Sequence, residues 1–418
     1  MHHFHYVDGV LHCEDVPLEA IAERLGTPFY LYSHATLTRH FKAFDQAFAG
    51  LDRLICYSAK ANSSQAILQL FARLGSGLDI VSGGELFRGI KAGFDPATIV
   101  YSGVGKTAPE IDSALKQGIF MINVESRPEL ALIQQRAALL GCRAPIAVRV
   151  NPDVDPKTHP YISTGLKKNK FGLSPEAALD VYREAQGMDH VEIKGIDCHI
   201  GSQITEAEPF RDALARLRGL IDQLAREKIT IRVVDMGGGL GITYQDEKPP
   251  HPADYGNAIR EGLQGLNMRL VLEPGRVLVG NAGILVTRVL YRKDGDHKRF
   301  LVVDAGMNDL IRPSLYDAYH DIWPVREKDG QKPITADVVG PICETGDFLS
   351  RDRRVPDTAP GELLAVMSAG AYGFTMASNY CSRLRVPEVM VQNDAYHVIR
   401  QRQSYDDLIA GESVPDFL

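Results

Sequence analysis

From about residue 50 to 280 the chain repeats one unit eight times. Each unit is a short apolar run rich in β-branched residues, followed by a longer stretch with amphipathic character. The runs are LICYSAK (54–60), GLDIVS (77–82), IVYSG (99–103), MINVES (121–126), PIAVRVNP (145–152), IKGIDCHIGS (193–202), IRVVDMGGG (231–239) and RLVLEPGR (269–276). Between them, stretches such as SSQAILQLFARLG, PELALIQQRAALLG and EPFRDALARLRGLIDQLAREK place apolar residues at helical steps, and several end in glycine. Strand–helix alternation requires parallel strands joined by crossover helices. Eight such units in roughly 230 residues match a (β/α)8 TIM barrel, which typically takes about 250. The barrel is expected over 36–279.

In a closed barrel all eight strand C-termini converge on one rim, where the chemistry of this fold sits. The polar residues ending the runs are Lys60, Asp79, Ser102, Glu125, Arg149, His199, the Gly237–Gly239 cluster, and Glu273 with Arg276. Polar residues end strands in any protein. A lysine, a histidine, a glutamate and a glycine cluster on one rim are less easily explained that way.

Beyond 280 the pattern changes. ILVTRVLYRK, RFLVVDAGM, ITADVVGPI, ELLAVMSAGAYG and PEVMVQND read as strands with little helix between them, a mostly antiparallel β domain of sandwich-like or barrel-like form. Near the N-terminus, HYVDGVLHC carries an Asp8-Gly9 turn between apolar flanks, a hairpin signal. Residues 1–35 and 280–418 are therefore expected to form the second domain. The polar segment 152–172 after the fifth strand suits a substrate-side loop.

The balance of 46 basic and 53 acidic residues leaves a net charge of −7, which argues against a general nucleic-acid or anionic-membrane binder. Six cysteines without C-x-x-C spacing argue against a zinc ribbon or a thioredoxin-type pair and suit a reducing, cytosolic setting. No run approaches the roughly 20 apolar residues of a membrane-spanning helix, and the start MHHFHYVDG lacks a signal core. His2, His3 and His5 have no nearby carboxylate or thiol partner, so no metal site is expected there.

Three rim motifs carry chemistry in combination. Lys60 in CYSAKAN ends an apolar strand, where partial desolvation would favour the neutral, nucleophilic amine. A surface lysine is the commoner reading of that residue alone. The run VDMGGGLG places Gly237, Gly238 and Gly239 after the seventh strand, so that backbone amides can approach a phosphate; no G-K-[ST] follows, which excludes a nucleotide P-loop. LEPGR supplies Glu273, Gly275 and Arg276 after the eighth. A carboxylate beside a phosphate is unfavourable unless a cation needs it, and a protonated pyridine nitrogen is such a cation. An amine, a phosphate nest and a pyridinium partner describe a site for pyridoxal 5'-phosphate. HIGS adds His199, suited to stack on the ring, and the Ser202 hydroxyl.

On YSAKAN, LDIVSGGEL, HPYISTG…KFG, HIGS, DMGGGLGI, EPGR, IRPSLY, GPICETGD and GAYG, in order from about 57 to 373, the chain resembles the barrel-fold pyridoxal-phosphate decarboxylases. The resemblance implies a barrel plus a β domain, and a homodimer with active sites shared at the interface. By the same resemblance Lys60 is the Schiff-base lysine and His199 the ring-stacking residue. Asp79, Ser202, Gly237, Gly238, Gly239, Gly275 and Arg276 belong with the cofactor, and Glu273 pairs with the pyridinium. Arg276, Arg312, Tyr316, Glu344 and Tyr372 form the substrate set, with Tyr372 also near the cofactor. Cys343 is implied as the proton donor, reaching in from the second subunit.

Relatives differ at the far end of the substrate. Arginine suits a bidentate grip on a carboxylate, so Arg312 together with Glu344 matches a zwitterionic end. The implied reaction is decarboxylation of meso-2,6-diaminopimelate to L-lysine, a lysine-biosynthetic step in the cytoplasm. The alternatives are a lysine or ornithine decarboxylase, a racemase on the same barrel, and a non-catalytic cofactor carrier. A racemase needs a base on each face of the substrate carbon. The carrier reading is weakened by the roughly 140 residues that follow the barrel.

Overall fold

The computed structural model describes residues 2–155, 158–159, 162, 164–165, 169–328, 330 and 332–418. The chain divides into two compact units, 38–278 and 1–37 with 279–418.

The first unit is a closed barrel of eight parallel strands: β1 (Arg53–Ser58), β2 (Gly77–Ile80), β3 (Ile99–Tyr101), β4 (Met121–Val124), β5 (Ala144–Arg149), β6 (Val191–Asp197), β7 (Val233–Asp235) and β8 (Arg269–Leu272). Each pairs with its neighbour in sequence, and β8 closes on β1 through Leu270–Arg53 and Leu272–Ile55. Buried strand residues pack the interior, with Cys56, Val100, Met121, Ala147, Val233 and Val271 in one cluster. Full burial of a large apolar side chain contributes about 1.5–3 kcal/mol.

The crossover helices begin and end where local chemistry dictates. Ser82 caps Gly83–Ala92 by accepting from the Glu85 amide, and Gly93 ends that helix in the left-handed region at φ 89°. Ser126 and Gly141 do the same for Arg127–Leu140, with Pro128 in its first turn. The strands stop slightly short of the expected runs. Lys60 lies in a 3-10 turn at Ala59–Ala61, and Glu273 one residue past Leu272. Lys60 and Glu273 thus sit on the connections, whereas Asp79, Arg149, Asp197 and Asp235 lie within the strand ends.

Part of the 152–172 insertion, at 156–157, 160–161, 163 and 166–168, lies outside the described residues. Its described part folds against the turn after β6. The Gly165 amide donates to the Ile200 carbonyl at 2.9 Å, and the Thr164 hydroxyl to the His199 carbonyl at 2.7 Å.

The second unit is a mixed, mostly antiparallel sheet. Its main path runs Phe348–Val355, Ile334–Val339, Arg299–Val303, Gly283–Asp294, Phe29–Ser33, Glu388–Gln392, Ala395–Arg400. Two neighbours pair in parallel: Arg299–Val303 with Ile334–Val339, and Phe29–Ser33 with Glu388–Gln392. Phe29–Ser33 lies inside the sheet with all five residues buried, which explains why FYLYS lacks polar alternation. The expected N-terminal hairpin forms. Phe4–Val7 pairs with Val10–Cys13, and the turn residues Asp8 (φ 48°) and Gly9 (φ 74°) both take the positive φ of a type I′ turn. The hairpin attaches within its own unit, through the Tyr6 hydroxyl donating to the Pro324 carbonyl at 2.6 Å.

Candidate active site

The barrel rim gathers five carboxylates: Asp79, Glu125, Asp197, Asp235 and Glu273, all buried. Two cations face them. Lys60 Nζ donates to Asp79 Oδ2 at 2.7 Å, and Arg149 donates to Glu125 Oε1 at 2.6 Å, with its Nε 3.9 Å from Asp197 Oδ2. The Lys60 side chain is 31% exposed. A buried carboxylate therefore lies within hydrogen-bond reach of a partly buried amine. Asp79 also accepts from the Ser58 hydroxyl at 2.6 Å.

Glu273, just beyond β8, accepts from the Ser102 hydroxyl at 3.1 Å. Asn123 Nδ2 lies 3.1 Å from that hydroxyl and 3.3 Å from Asp235 Oδ2. The other Asp235 oxygen accepts from the Gly237 amide at 2.9 Å, and the Glu273 amide donates to the Gly237 carbonyl at 2.8 Å. One polar chain thus links the glycine turn after β7 to the carboxyl after β8. Burial, and then the neighbouring Asp235 and Asp79, push the Glu273 carboxyl well above the usual range. Burial and Asp197 push Asp235 up to about 8. Without a cation beside it, this geometry favours Glu273 as a neutral acid; a cationic partner would favour its ionised form.

His199 follows β6. Burial, then the Arg149 and Lys60 charges, hold its ring well below the usual histidine range, hence neutral. Its buried Nδ1 has no hydrogen-bond partner among the described residues. The Gly237–Gly239 turn passes beside this ring. A Cβ at Gly237 (φ 62°) would lie 2.9 Å from the His199 Cβ, and one at Gly238 only 2.2 Å from the Glu273 carbonyl oxygen. These positions admit glycine alone, which leaves backbone amides lining the turn. Gly275 packs against Ser58 and Ala61. Arg276 is buried and donates to the Tyr244 hydroxyl at 2.7 Å and to Ser202 Oγ at 3.0 Å. An amine, a buried carboxyl, a neutral imidazole and a glycine turn fit a pyridine ring bearing an aldehyde and a phosphate.

The other expected residues belong to the second unit. Arg312 opens the short helix Arg312–Tyr316 and is 5% exposed, so it is no surface residue. Tyr316 is half-buried. Cys343, a free thiol, and Glu344 are exposed on the turn that follows Ile334–Val339. Asp347 shapes that turn by accepting from the Met307 and Ile342 amides at 2.6 Å each. The Ser314 hydroxyl donates to the Gly346 carbonyl at 2.6 Å, tying the Arg312 helix to the Glu344 turn. Tyr372 takes a positive φ of 57°. Strain of this kind in a bulky residue persists only where its surroundings impose it. Gly370 before it and Gly373 after it are packed where a Cβ would meet backbone oxygens at 2.0 and 2.5 Å.

Asn123, Asp235, Tyr244, His320 and Tyr380 escaped the sequence reading. The Tyr380 hydroxyl hydrogen-bonds to Glu344, which raises the phenol above its usual range. Asp235 directly precedes the MGGG run and was detectable as the last polar residue of its strand; the other four carry no periodic signal. Among the described residues no cluster of three or more histidine, cysteine or carboxylate groups is placed to hold a metal.

Residues 34–280 match the family described as pyridoxal-dependent decarboxylase, pyridoxal binding domain. The chain is 54% identical over 411 residues to a diaminopimelate decarboxylase from Pseudomonas aeruginosa, covering 98% of this chain and 99% of the other. It is similar in structure to diaminopimelate decarboxylase from Helicobacter pylori complexed with L-lysine, with a TM-score of 0.91 and 44% identity over 94% of this chain and 98% of that one. The M. jannaschii enzyme in complex with L-lysine superposes with a TM-score of 0.95 at 38% identity, over 99% and 98%.

Proposed function

The chain belongs to the pyridoxal-phosphate-dependent decarboxylases of the diaminopimelate decarboxylase family, and from that premise we propose how its residues divide the work of converting meso-2,6-diaminopimelate to L-lysine and carbon dioxide. Pyridoxal phosphate, when bound, supplies an electron sink for the pair left behind as carbon dioxide departs. Lys60 would hold the cofactor covalently through its amine, and Asp79 would keep that amine hydrogen-bonded when the substrate takes its place. Glu273 keeps the ring nitrogen protonated, and the Ser102–Asn123–Asp235 chain orients it. His199 covers one ring face as a neutral imidazole, which adds no charge to a cationic ring. The amides of Gly237, Gly238 and Gly239, with Ser202, Gly275 and Arg276, bind the phosphate.

At the far end of the substrate Arg312 grips the carboxylate and Glu344 the ammonium, with Arg276, Tyr316 and Tyr372 completing the pocket. Cys343 delivers the proton to the carbon that lost its carboxylate. The enzyme is a cytoplasmic homodimer whose sites draw on both chains. The observation that carries this reading is the buried Glu273 carboxyl, hydrogen-bonded by Ser102, just past the strand adjacent to the one that leads into Lys60. Amine-product assays on meso-diaminopimelate, lysine, ornithine and arginine test it. Turnover of diaminopimelate alone is expected; comparable turnover of lysine or ornithine would favour the polyamine-type alternative, and loss of optical activity without carbon dioxide a racemase.

A further inference from the structure

We propose that His320 is a positioning residue for Arg312, fixing the guanidinium plane that grips the far carboxylate without cancelling its charge. The proposal rests on the reading of Arg312 given above.

Both side chains are buried, His320 fully. Arg312 Nη1 lies 3.1 Å from His320 Nε2, and His320 Nδ1 lies 2.8 Å from the Met367 carbonyl oxygen. A guanidinium has only N–H donors, so Nε2 must present its lone pair. A carbonyl only accepts, so Nδ1 must carry the hydrogen. The two contacts are satisfied together by one species, the neutral Nδ1–H imidazole.

The backbone holds that ring in place. Arg353 donates to the His320 carbonyl at 2.6 Å, and the Met367 amide to the Asp321 carbonyl at 2.8 Å. The chain reaches His320 from the Arg312 helix through Asp317, which ends that helix in the left-handed region at φ 51°. A buried guanidinium needs hydrogen-bonded partners, and a carboxylate is the usual one. A carboxylate at position 320 would neutralise Arg312 and compete with the substrate for it. A neutral acceptor sets the same orientation and adds no negative charge of its own.

The test uses holoenzyme and two ligands. L-lysine, the product, keeps the far carboxylate; 1,5-diaminopentane has the same chain and amines but no carboxylate. His320→Leu is expected to weaken L-lysine binding and raise the KM for diaminopimelate by about 10-fold or more, the scale of a hydrogen bond to a charged group. Binding of 1,5-diaminopentane and cofactor absorbance should not change. His320→Gln, whose amide oxygen reaches the position of Nε2, should restore most of the affinity, whereas His320→Asn, one bond shorter, should not. If His320→Leu does not fold, the Gln and Asn variants decide, and equal L-lysine affinity in the two overturns the proposal. Parallel weakening of both ligands would make His320 merely structural and also overturn it. Arg312→Leu is the control: unchanged L-lysine affinity there removes Arg312 from the substrate site altogether, while weakened affinity there with His320→Leu unaffected removes only the positioning role.

Discussion

Ser102, just past β3, donates a 3.1 Å hydrogen bond to Oε1 of Glu273, just past β8, across 171 residues of sequence. The bond favours an ionised Glu273 against the burial that pushes its carboxyl up. Ser102→Ala should therefore lower kcat by about 10-fold while leaving KM for diaminopimelate nearly unchanged. Nitrogen-15 NMR of labelled cofactor should report a less protonated pyridine ring, and Ser102→Thr should recover both. A fall in kcat with an unmoved nitrogen shift would detach Ser102 from the ring nitrogen.

Lys60, paired to Asp79 at 2.7 Å, is expected to carry the covalent link to the cofactor. Borohydride reduction followed by mass mapping should place the pyridoxyl group on Lys60 in the native enzyme and on no residue of Lys60→Ala. Turnover should fall roughly 1000-fold or more in that variant. A pyridoxyl adduct mapped to another lysine would reassign the anchor.

Gly238→Ala brings a Cβ to within 2.2 Å of the Glu273 carbonyl, a backbone atom that cannot move away cheaply. The expected cost is about 1–3 kcal/mol of stability, read as a lower unfolding midpoint, together with weaker cofactor binding by titration. Native affinity in this variant would show that the turn does not bind the phosphate.

Asp235 has its carboxyl pushed up to about 8. The folded cofactor-free chain holds this proton over the range in which the unfolded chain, titrating near about 4, has lost it. Its contribution to stability is full below the unfolded value and is lost as pH rises through about 8. Asp235→Asn has no such proton to lose. Between about pH 5 and about pH 9 its thermal midpoint should fall less than that of the native apoprotein. Parallel curves would assign the pH dependence to another group.

Cys343 sits exposed in the second unit, and its proposed role needs a neighbouring chain. Lys60→Ala and Cys343→Ala should each be nearly inactive. Subunit exchange between them should restore roughly a quarter of native activity, because half the dimers are mixed and each mixed dimer has one intact site. Persistent inactivity, with exchange verified by mass, would place Cys343 within its own chain's site or outside the chemistry.

Local pattern in the sequence determined the barrel, the hairpin at Asp8-Gly9, the rim position of Lys60 and Glu273, and the glycine turn between His199 and Glu273. Periodicity and punctuation are properties of neighbouring residues, so they survive without the fold. The strand Phe29–Ser33 was harder to read because burial on both faces erases alternation. Only the tertiary structure decided what each polar group faces. It pairs Lys60 with Asp79, Ser102 with Glu273, Asn123 with Asp235, and Arg312 with His320. It also buries Asp197 close enough to Asp235 to help push the Asp235 carboxyl up. The barrel partners lie at strand ends brought together by register and closure, and His320 meets Arg312 beyond the left-handed Asp317 that ends the Arg312 helix. Which donor meets which acceptor, and at what charge, follows from that packing rather than from the order of residues along the chain.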